Sequence, residues 1–149
     1  MAEVLFYHLT ESRLEDALPP LLEKSLERGW RVVVQAGSEE RCESLDTHLW
    51  AFRDESFLPH GRAGEPHADM QPIILCAEDG APNAASVRFL VDGAQPPDLS
   101  GYERVVFMFD GHDQAQLEAA RGEWKTLKAQ GHALTYWQQS ASGRWEKKA

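Results

Sequence analysis

The chain has few cysteines and no long apolar run, and both absences exclude classes of protein. Two cysteines, Cys42 and Cys76, among 149 residues are too few for a disulfide framework. Each lies in an apolar pattern, so we expect two small core residues in a reducing cytoplasm. No apolar run approaches the roughly 18 residues of a membrane span, and the N-terminal residues lack the basic-then-apolar order of a secretion signal.

The sequence also lacks the glycine motifs that hold nucleotide phosphates. Neither GxGxxG nor GxxxxGK[ST] occurs, and "HLTES", which follows the first predicted strand, contains no glycine. A bound phosphate needs closely approaching backbone N–H groups, and glycines usually permit that approach. The glycines of "HGRAGEPH" (60–67) precede neither a predicted helix nor a lysine, which favours a loop. We therefore expect no nucleotide and no other cofactor.

Positive charge is scarce until the last quarter of the chain. The formal net charge is -9, and residues 1–111 carry 9 Lys and Arg against 20 Asp and Glu. Residues 112–149 reverse the balance, with 6 against 4. Because an acidic body repels nucleic-acid phosphates, we expect no broad nucleic-acid surface. The lack of a membrane-spanning run leads us to expect no membrane partner. The late cations permit a local basic site for an acidic partner.

Short apolar runs alternate with helical patterns along the chain. The strand-like runs are at 3–9, 31–37, 72–78, 87–93, 104–111 and 133–139, and the helical patterns are at 14–26, 38–50 and 112–131. This alternation predicts an α/β domain of three layers, α/β/α, with a mostly parallel sheet. We expect one domain over 1–149, with a short polar C-terminal tail from about residue 140. Ser12 and Glu15 have capping-box spacing, while Pro19 and Pro20 imply a kink or a later helix start.

Two clusters of polar residues suggest chemistry, although each also has a structural interpretation. His60, His67 and Asp69 are the closest candidate metal ligands, but no HxxxH or CxxC spacing supports them, so we expect no metal. "FDGHD" (109–113) places Asp110, His112 and Asp113 at a strand end. These residues could form an acid/base group, and more often such residues cap the following helix. No GxSxG motif offers a serine nucleophile.

The late helical segment carries two adjoining stripes. On a helical wheel Leu117, Ala120, Trp124 and Leu127 form an apolar stripe, and Arg121, Lys125 and Lys128 form a basic stripe beside it. Trp124 is either a core residue beside solvated cations or one wall of a pocket for an acidic peptide. A peptide with bulky apolar residues and a terminal carboxylate suits the second interpretation.

A second aromatic group lies between the helical pattern at 38–50 and a long irregular segment, 51–71. Trp50, Phe52 and Phe57 crowd this region, and long irregular segments are usually functional. These aromatic side chains either fold beneath the loop or form a patch that binds another protein.

In combination, several segments resemble the chi subunit family of bacterial DNA polymerase III. They are "FYHL" (6–9), "LW" (49–50), "SFLPH" (56–60), "QPIIL" (71–75), "ERVVFMFDG" (103–111), "AARGEWKTLKAQGH" (119–132) and "LTYWQQ" (134–139). The resemblance covers nearly the whole chain in order. It implies a non-catalytic adaptor whose fold looks like a Rossmann-like nucleotide-binding domain without its phosphate loop.

The resemblance also implies two protein partners. Family members bind the acidic C-terminal tail of single-stranded-DNA-binding protein through an Arg, an aromatic residue and a Lys. These residues match Arg121, Trp124 and Lys125 here. Well-known members have tyrosine at the aromatic position. They also bind the psi subunit of the clamp loader, and Trp50, Phe57 and Pro59 match that surface. This chain departs from well-known members in its end, "QQSASGRWEKKA", whose Arg144, Lys147 and Lys148 could extend the tail site.

Two rival functions stay open at this stage. The first is a small α/β enzyme that uses Asp110, His112 and Asp113. The second is direct binding of single-stranded DNA through Trp124, Trp137 and Trp145 with the late cations.

Overall fold

The computed structural model describes residues 3–50, 59–77, 80, 83–99 and 101–149, and for Trp50 only the backbone. The three α-helices within these ranges are α1 (Leu14–Glu27), α2 (Glu39–Trp50) and α3 (Gln114–Ala129). The strands are β1 (Glu3–Leu9), β2 (Val32–Gln35), β3 (His60–Arg62), β4 (Ile73–Cys76), β5 (Val87–Val91), β6 (Arg104–Asp110), β7 (Ala133–Gln139) and β8 (Trp145–Lys147). No helix among these residues is long and apolar enough to cross a bilayer.

One sheet contains all of these strands, in the order β3-β4-β2-β5-β6-β1-β7-β8. Every neighbouring pair is parallel except β7 and β8. The central strands are buried along most of their length because other segments of the chain cover both faces of the sheet, which explains their continuous apolar runs. The mostly parallel α/β fold predicted from the sequence is confirmed.

Three apolar clusters pack on the sheet, and the smallest of them contains Val33, Ala68, Ile74, Cys76 and Ala85. Leucines of α1 and α2, including Leu18, Leu22 and Leu45, pack on one face with Val34 and Met108. On the other face, α3 packs on β1, β6 and β7, and this cluster contains Val4, Phe6, Val105, Phe107, Phe109, Ala120 and Leu127. Side chains alternate across a strand, so neighbouring residues of β1 serve different clusters. The helices therefore form the two outer layers that the sequence predicts.

The start of α1 differs from the expectation. The helix begins at Leu14 and contains both Pro19 and Pro20, so a later start is wrong. The capping box is also wrong, because Arg13 is the N-cap residue and makes no side-chain cap hydrogen bond. The Ser12 hydroxyl instead accepts a hydrogen bond from Gln139 Nε2, 2.9 Å away. The Ser12 side chain therefore binds a residue that is distant in the sequence, and it does not cap the helix as the local motif predicts.

Two short strands lie where the sequence shows no strand pattern. β3 and a 3-10 turn at Ala68–Met70 occupy part of the predicted loop, and β8 occupies part of the polar tail. Each is three residues long, too short to show a period of two. Their pairing with β4 and β7 holds them in the sheet. Cys42 and Cys76 are buried and free, as predicted.

Candidate functional site

In helix α3 the predicted apolar stripe faces the sheet and the predicted basic stripe faces solvent. Asp113 caps its first turn, with Oδ1 accepting a hydrogen bond from the Gln116 backbone N–H at 3.1 Å. The helix ends before Gly131, whose φ of 88° is readily adopted by glycine. Its apolar stripe packs on the sheet, with Ala120 and Leu127 buried and Trp124 half-buried. The three cations of the basic stripe are exposed.

A pocket of about 420 Å³ lies where the two stripes meet. It is lined by Phe109, Leu117, Ala120, Arg121, Trp124, Lys125, Tyr136 and Ala149. The structure thus brings together Arg121, Trp124 and Lys125, three of the four residues that the sequence predicts for the tail-peptide site. Lys128 lies on the same helix and is exposed, but it is not among the lining residues. We call this cavity the α3 pocket.

Aromatic rings fix the position of Trp124 in the α3 pocket. Its ring makes edge contacts with Phe6, at 5.3 Å between centroids, and with Tyr136, at 5.9 Å. Phe6 in turn stacks on Phe107 at 4.7 Å. Such contacts between rings add to the stabilisation from burial. Trp124 is therefore both a core residue and a wall of the pocket, so the two interpretations of the sequence are compatible.

A histidine contacts two residues of the pocket lining, and sequence reasoning missed it. His8 Nδ1 is 2.7 Å from the Tyr136 hydroxyl, and the His8 ring stacks on Phe109 at 5.0 Å. Burial lowers the pKa of His8, and the nearby His112 and Arg121 lower it further, while Asp110 opposes the shift. His8 and Tyr136 are 128 residues apart, so spacing gave no direct signal. The alternation of β1 and β7 does place both on the face that α3 covers.

The charges and the lining together define what the α3 pocket can hold. Arg121 and Lys125 supply positive charge, and the remaining lining is aromatic or aliphatic apart from the Tyr136 hydroxyl and the main chain. Burial raises the pKa of Tyr136, so its hydroxyl keeps its proton near neutral pH. Arginine beside an apolar wall can hold a carboxylate through two parallel hydrogen bonds. The pocket is suited to a ligand that is both apolar and anionic.

The loop between β1 and α1, which holds phosphate in many nucleotide-binding folds, is filled by the protein itself. Gln139 Oε1 accepts hydrogen bonds from the backbone N–H groups of Thr10, Glu11 and Ser12, at 3.2, 3.0 and 3.0 Å. The side chain is buried, and its Nε2 donates to Ser12. An amide oxygen thus occupies the place where a phosphate oxygen would accept these bonds.

The polar cluster at the end of β6 caps a helix. Asp113 is the N-cap residue of α3, as the structural interpretation predicted. Asp110 Oδ1 accepts a hydrogen bond from the His112 backbone N–H at 2.8 Å, and His112 Nε2 is 3.0 Å from the Thr10 carbonyl oxygen. Asp110 and His112 line a cavity of about 370 Å³ whose Arg41 pairs with Glu15 and Asp92. Each of the three candidate acid/base residues therefore has a hydrogen-bonding partner in the main chain near the end of β6.

The other two sequence hypotheses also have definite positions. His60 is buried, and its Nε2 lies 2.9 Å from Asp46 Oδ1 of α2. Among the described residues, no three His, Cys, Asp or Glu side chains are grouped so that they could hold a metal ion. Trp137 and Trp145 contact Tyr7, at 6.1 and 4.7 Å between centroids, on the sheet face opposite Trp124. The three tryptophans therefore do not form one stacking platform.

The residues that match the psi-binding surface are only partly described. Phe57 lies outside the described residues, and of Trp50 only the backbone, at the end of α2, is described. Pro59 is half-buried and directly precedes β3. The contact between His60 and Asp46 ties β3 to α2. Pro59 and the end of α2 thus belong to neighbouring elements of the fold.

Comparisons with known proteins give a consistent result. The family model described as "DNA polymerase III chi subunit, HolC" matches residues 1–135. The DNA polymerase III subunit chi of Haemophilus influenzae is 28% identical over 134 residues, which cover 87% of this chain and 92% of that protein. The corresponding protein of Pseudomonas aeruginosa is 27% identical over 114 residues, or 76% of this chain and 78% of the relative.

A third relative is matched over a shorter range. The probable DNA polymerase III subunit chi of Rickettsia prowazekii is 28% identical over 100 residues, which cover 67% of this chain and 59% of the relative's own length. The family match includes most of the α3 pocket and stops before Tyr136. Since that match extends over most of the 149 residues, the chain belongs to the DNA polymerase III chi subunit family.

Proposed function

We propose that this protein is a non-catalytic subunit that couples the clamp loader of the replicative polymerase to single-stranded-DNA-binding protein. The α3 pocket receives the acidic C-terminal tail of that protein, and a second surface, matched by Trp50, Phe57 and Pro59, receives psi or an equivalent clamp-loader protein. The single observation that carries the proposal is the meeting of Arg121 and Lys125 with the Trp124 wall in one pocket.

The lining of the pocket supports an acidic peptide as the ligand. A surface cation gains little from a distant anion because salt screens the attraction. Beside an apolar wall, water is excluded and a guanidinium can hold a carboxylate in a fixed geometry. The tail's apolar side chain packs on Trp124 while its terminal carboxylate pairs with Arg121. Lys125 adds a second cation without the fork geometry of arginine.

The electrostatics of the whole chain support a protein partner rather than DNA. The formal net charge of -9 opposes the approach of a phosphate backbone, whereas a small basic pocket still attracts a local acidic segment. Contact with single-stranded DNA is then indirect, through the protein that coats it. The Gln139 side chain in the β1–α1 loop supports a role without nucleotide chemistry, because the backbone N–H groups there already have an acceptor.

The test is a titration with a synthetic acidic peptide that ends in phenylalanine with a free carboxylate, followed by tryptophan fluorescence. We expect binding in the micromolar range, about -8 kcal/mol. Arg121→Ala should weaken binding by roughly 2–4 kcal/mol, because the carboxylate loses its charged partner. Binding should also weaken as salt rises.

Lys128→Ala is the matched control, since this cation lies on the same helix outside the lining of the pocket. It should cost clearly less than Arg121→Ala. The site assignment is wrong if both variants bind as tightly as the wild type, or if amidation of the peptide's terminal carboxylate leaves the affinity unchanged.

A further inference from the structure

We propose that His8 and Tyr136 form a proton-linked part of the α3 pocket, so that binding of an acidic peptide takes up a proton on His8. In the empty pocket Tyr136 donates its hydroxyl hydrogen bond to neutral His8. In the occupied pocket protonated His8 donates to the Tyr136 oxygen, and the hydroxyl proton becomes available to the peptide carboxylate. This inference rests on the proposed function and names two further specificity-determining residues of the same site.

The pair can hydrogen-bond in either direction, and the direction depends on which imidazole nitrogens carry protons. His8 Nδ1 and the Tyr136 hydroxyl are 2.7 Å apart, within the range of a direct hydrogen bond. A neutral imidazole nitrogen without a proton is an acceptor, and both nitrogens of a protonated ring are donors. The hydroxyl can act as donor or acceptor, and in the proposed tautomer, with the proton of the neutral ring on Nε2, it reverses its role when His8 gains a proton on Nδ1. The proton on Tyr136 must then point away from His8.

The pair is held firmly in this position. The His8 ring stacks on Phe109 at 5.0 Å and meets the Tyr136 ring edge-on at 5.9 Å. Gly111 leaves room for the ring, since a Cβ there would lie 2.1 Å from His8 Nε2. Packing on several sides restrains rotation of the imidazole ring. Reversal of the hydrogen bond therefore requires movement of protons rather than of the ring.

The surrounding charges link His8 to the peptide. Arg121 of α3 repels a proton on His8, as does His112 beyond β6, and Asp110 at the end of β6 attracts it. Tyr136 is the partner on β7, and farther along the sheet Glu146 pairs with Lys148 at 3.6 Å. A carboxylate bound to Arg121 offsets the repulsion between Arg121 and protonated His8. The pKa of His8 should therefore rise when the peptide binds.

The sign of the pH dependence follows from this rise. The complex binds a proton more tightly than the free protein, so affinity increases as pH falls through the His8 pKa and decreases as pH rises above it. Burial and Arg121 hold the pKa of free His8 below its ordinary value, so the free ring is largely neutral near pH 7. The peptide's own carboxylates stay ionised down to about pH 5. The window for the test is therefore about pH 8 to about pH 5.5.

The experiment measures affinity for the acidic phenylalanine-terminated peptide across this window. We expect wild type to bind about fivefold more tightly at the lower limit, a typical size for coupling between two sites. His8→Asn, which keeps a hydrogen-bonding side chain but does not titrate here, should show a flat profile. Tyr136→Phe should bind more weakly and show a flatter profile, because it removes the hydroxyl and keeps the ring. His112→Gln, the control for a nearby exposed histidine, removes a group that repels the proton on His8, so it should keep a pH-dependent profile that is moved to higher pH.

A second measurement needs no variant. The pKa of the His8 ring, followed by NMR in wild type, should rise when the peptide is added at saturation. An unchanged pKa, or a wild-type slope in His8→Asn, overturns the proton linkage. If wild type binds the peptide with a flat profile, only this inference fails. If wild type binds no peptide at any pH, the proposed function fails with it.

Discussion

Replacement of Gln139 by alanine tests how the β1–α1 loop is held. The Gln139 amide oxygen is the acceptor for three consecutive backbone N–H groups, those of residues 10–12, and its Nε2 donates to Ser12. Alanine removes all four bonds and leaves the three backbone donors without a partner in the protein. The truncated side chain also opens a polar space that water can enter.

The magnitude follows from these donors. A buried donor left unsatisfied costs about 1–3 kcal/mol, and these groups are only partly buried, so water recovers some of the loss. We expect a total loss of about 2–4 kcal/mol. This is a large fraction of the roughly 5–15 kcal/mol that stabilises a typical domain. With a urea m-value of about 2 kcal/mol/M, the unfolding midpoint should fall by about 1–2 M.

The assay is urea unfolding of wild type, Gln139→Ala and the matched control Gln138→Ala, whose side chain points to the opposite face of β7. Inorganic phosphate supplies a second readout, because the freed N–H groups should bind an anion. Phosphate should raise the midpoint of Gln139→Ala more than that of wild type. The reasoning is refuted if Gln139→Ala and Gln138→Ala unfold at the same urea concentration.

Three further predictions concern other parts of the fold. Gly111→Ala should destabilise the domain by about 1–3 kcal/mol in the same urea assay, because its Cβ would overlap the His8 ring. Gly122→Ala, in open space on α3, should stabilise the domain by up to about 1 kcal/mol. Equal effects of the two substitutions would contradict this reasoning. Phe57→Ala should leave the unfolding midpoint unchanged and weaken binding to clamp-loader proteins by about 2 kcal/mol, which a pull-down would show as reduced capture. If the variant is unfolded, or if capture is unchanged, Phe57 is not part of the interface. Calorimetry with ATP and magnesium should give no binding heat, because Gln139 fills the loop; micromolar binding would contradict the adaptor role.

The candidate site was partly predictable because its main residues lie on one helix. Arg121, Trp124 and Lys125 are three or four positions apart, so the helical period alone places them side by side. The basic stripe also suggested Lys128, which the structure leaves outside the pocket lining. Periodicity gives the angle of a side chain around the helix but not where the neighbouring strands end. The extent of the pocket along α3 depends on β6 and β7, which supply the lining residues Phe109 and Tyr136.

The sequence by itself determined the secondary structure of the core and the class of the fold. Apolar runs such as 3–9 and 104–111, separated by helical patterns, are local properties of the sequence, and their periodicity indicates which faces are buried. The short strands β3 and β8 show no such periodicity in the sequence, because their stability comes from pairing with β4 and β7.

Only the tertiary structure decided the contacts between distant residues. The bonds from Gln139 to the β1–α1 loop and from Tyr136 to His8 each join groups about 128 positions apart. They exist because β1 and β7 are neighbours in the sheet, although most of the chain lies between them. A hydrogen bond depends on separation in space, and sequence spacing reports that separation only within one helix or strand. The capping role expected for Ser12 was lost for the same reason, since Gln139 binds it from across the sheet.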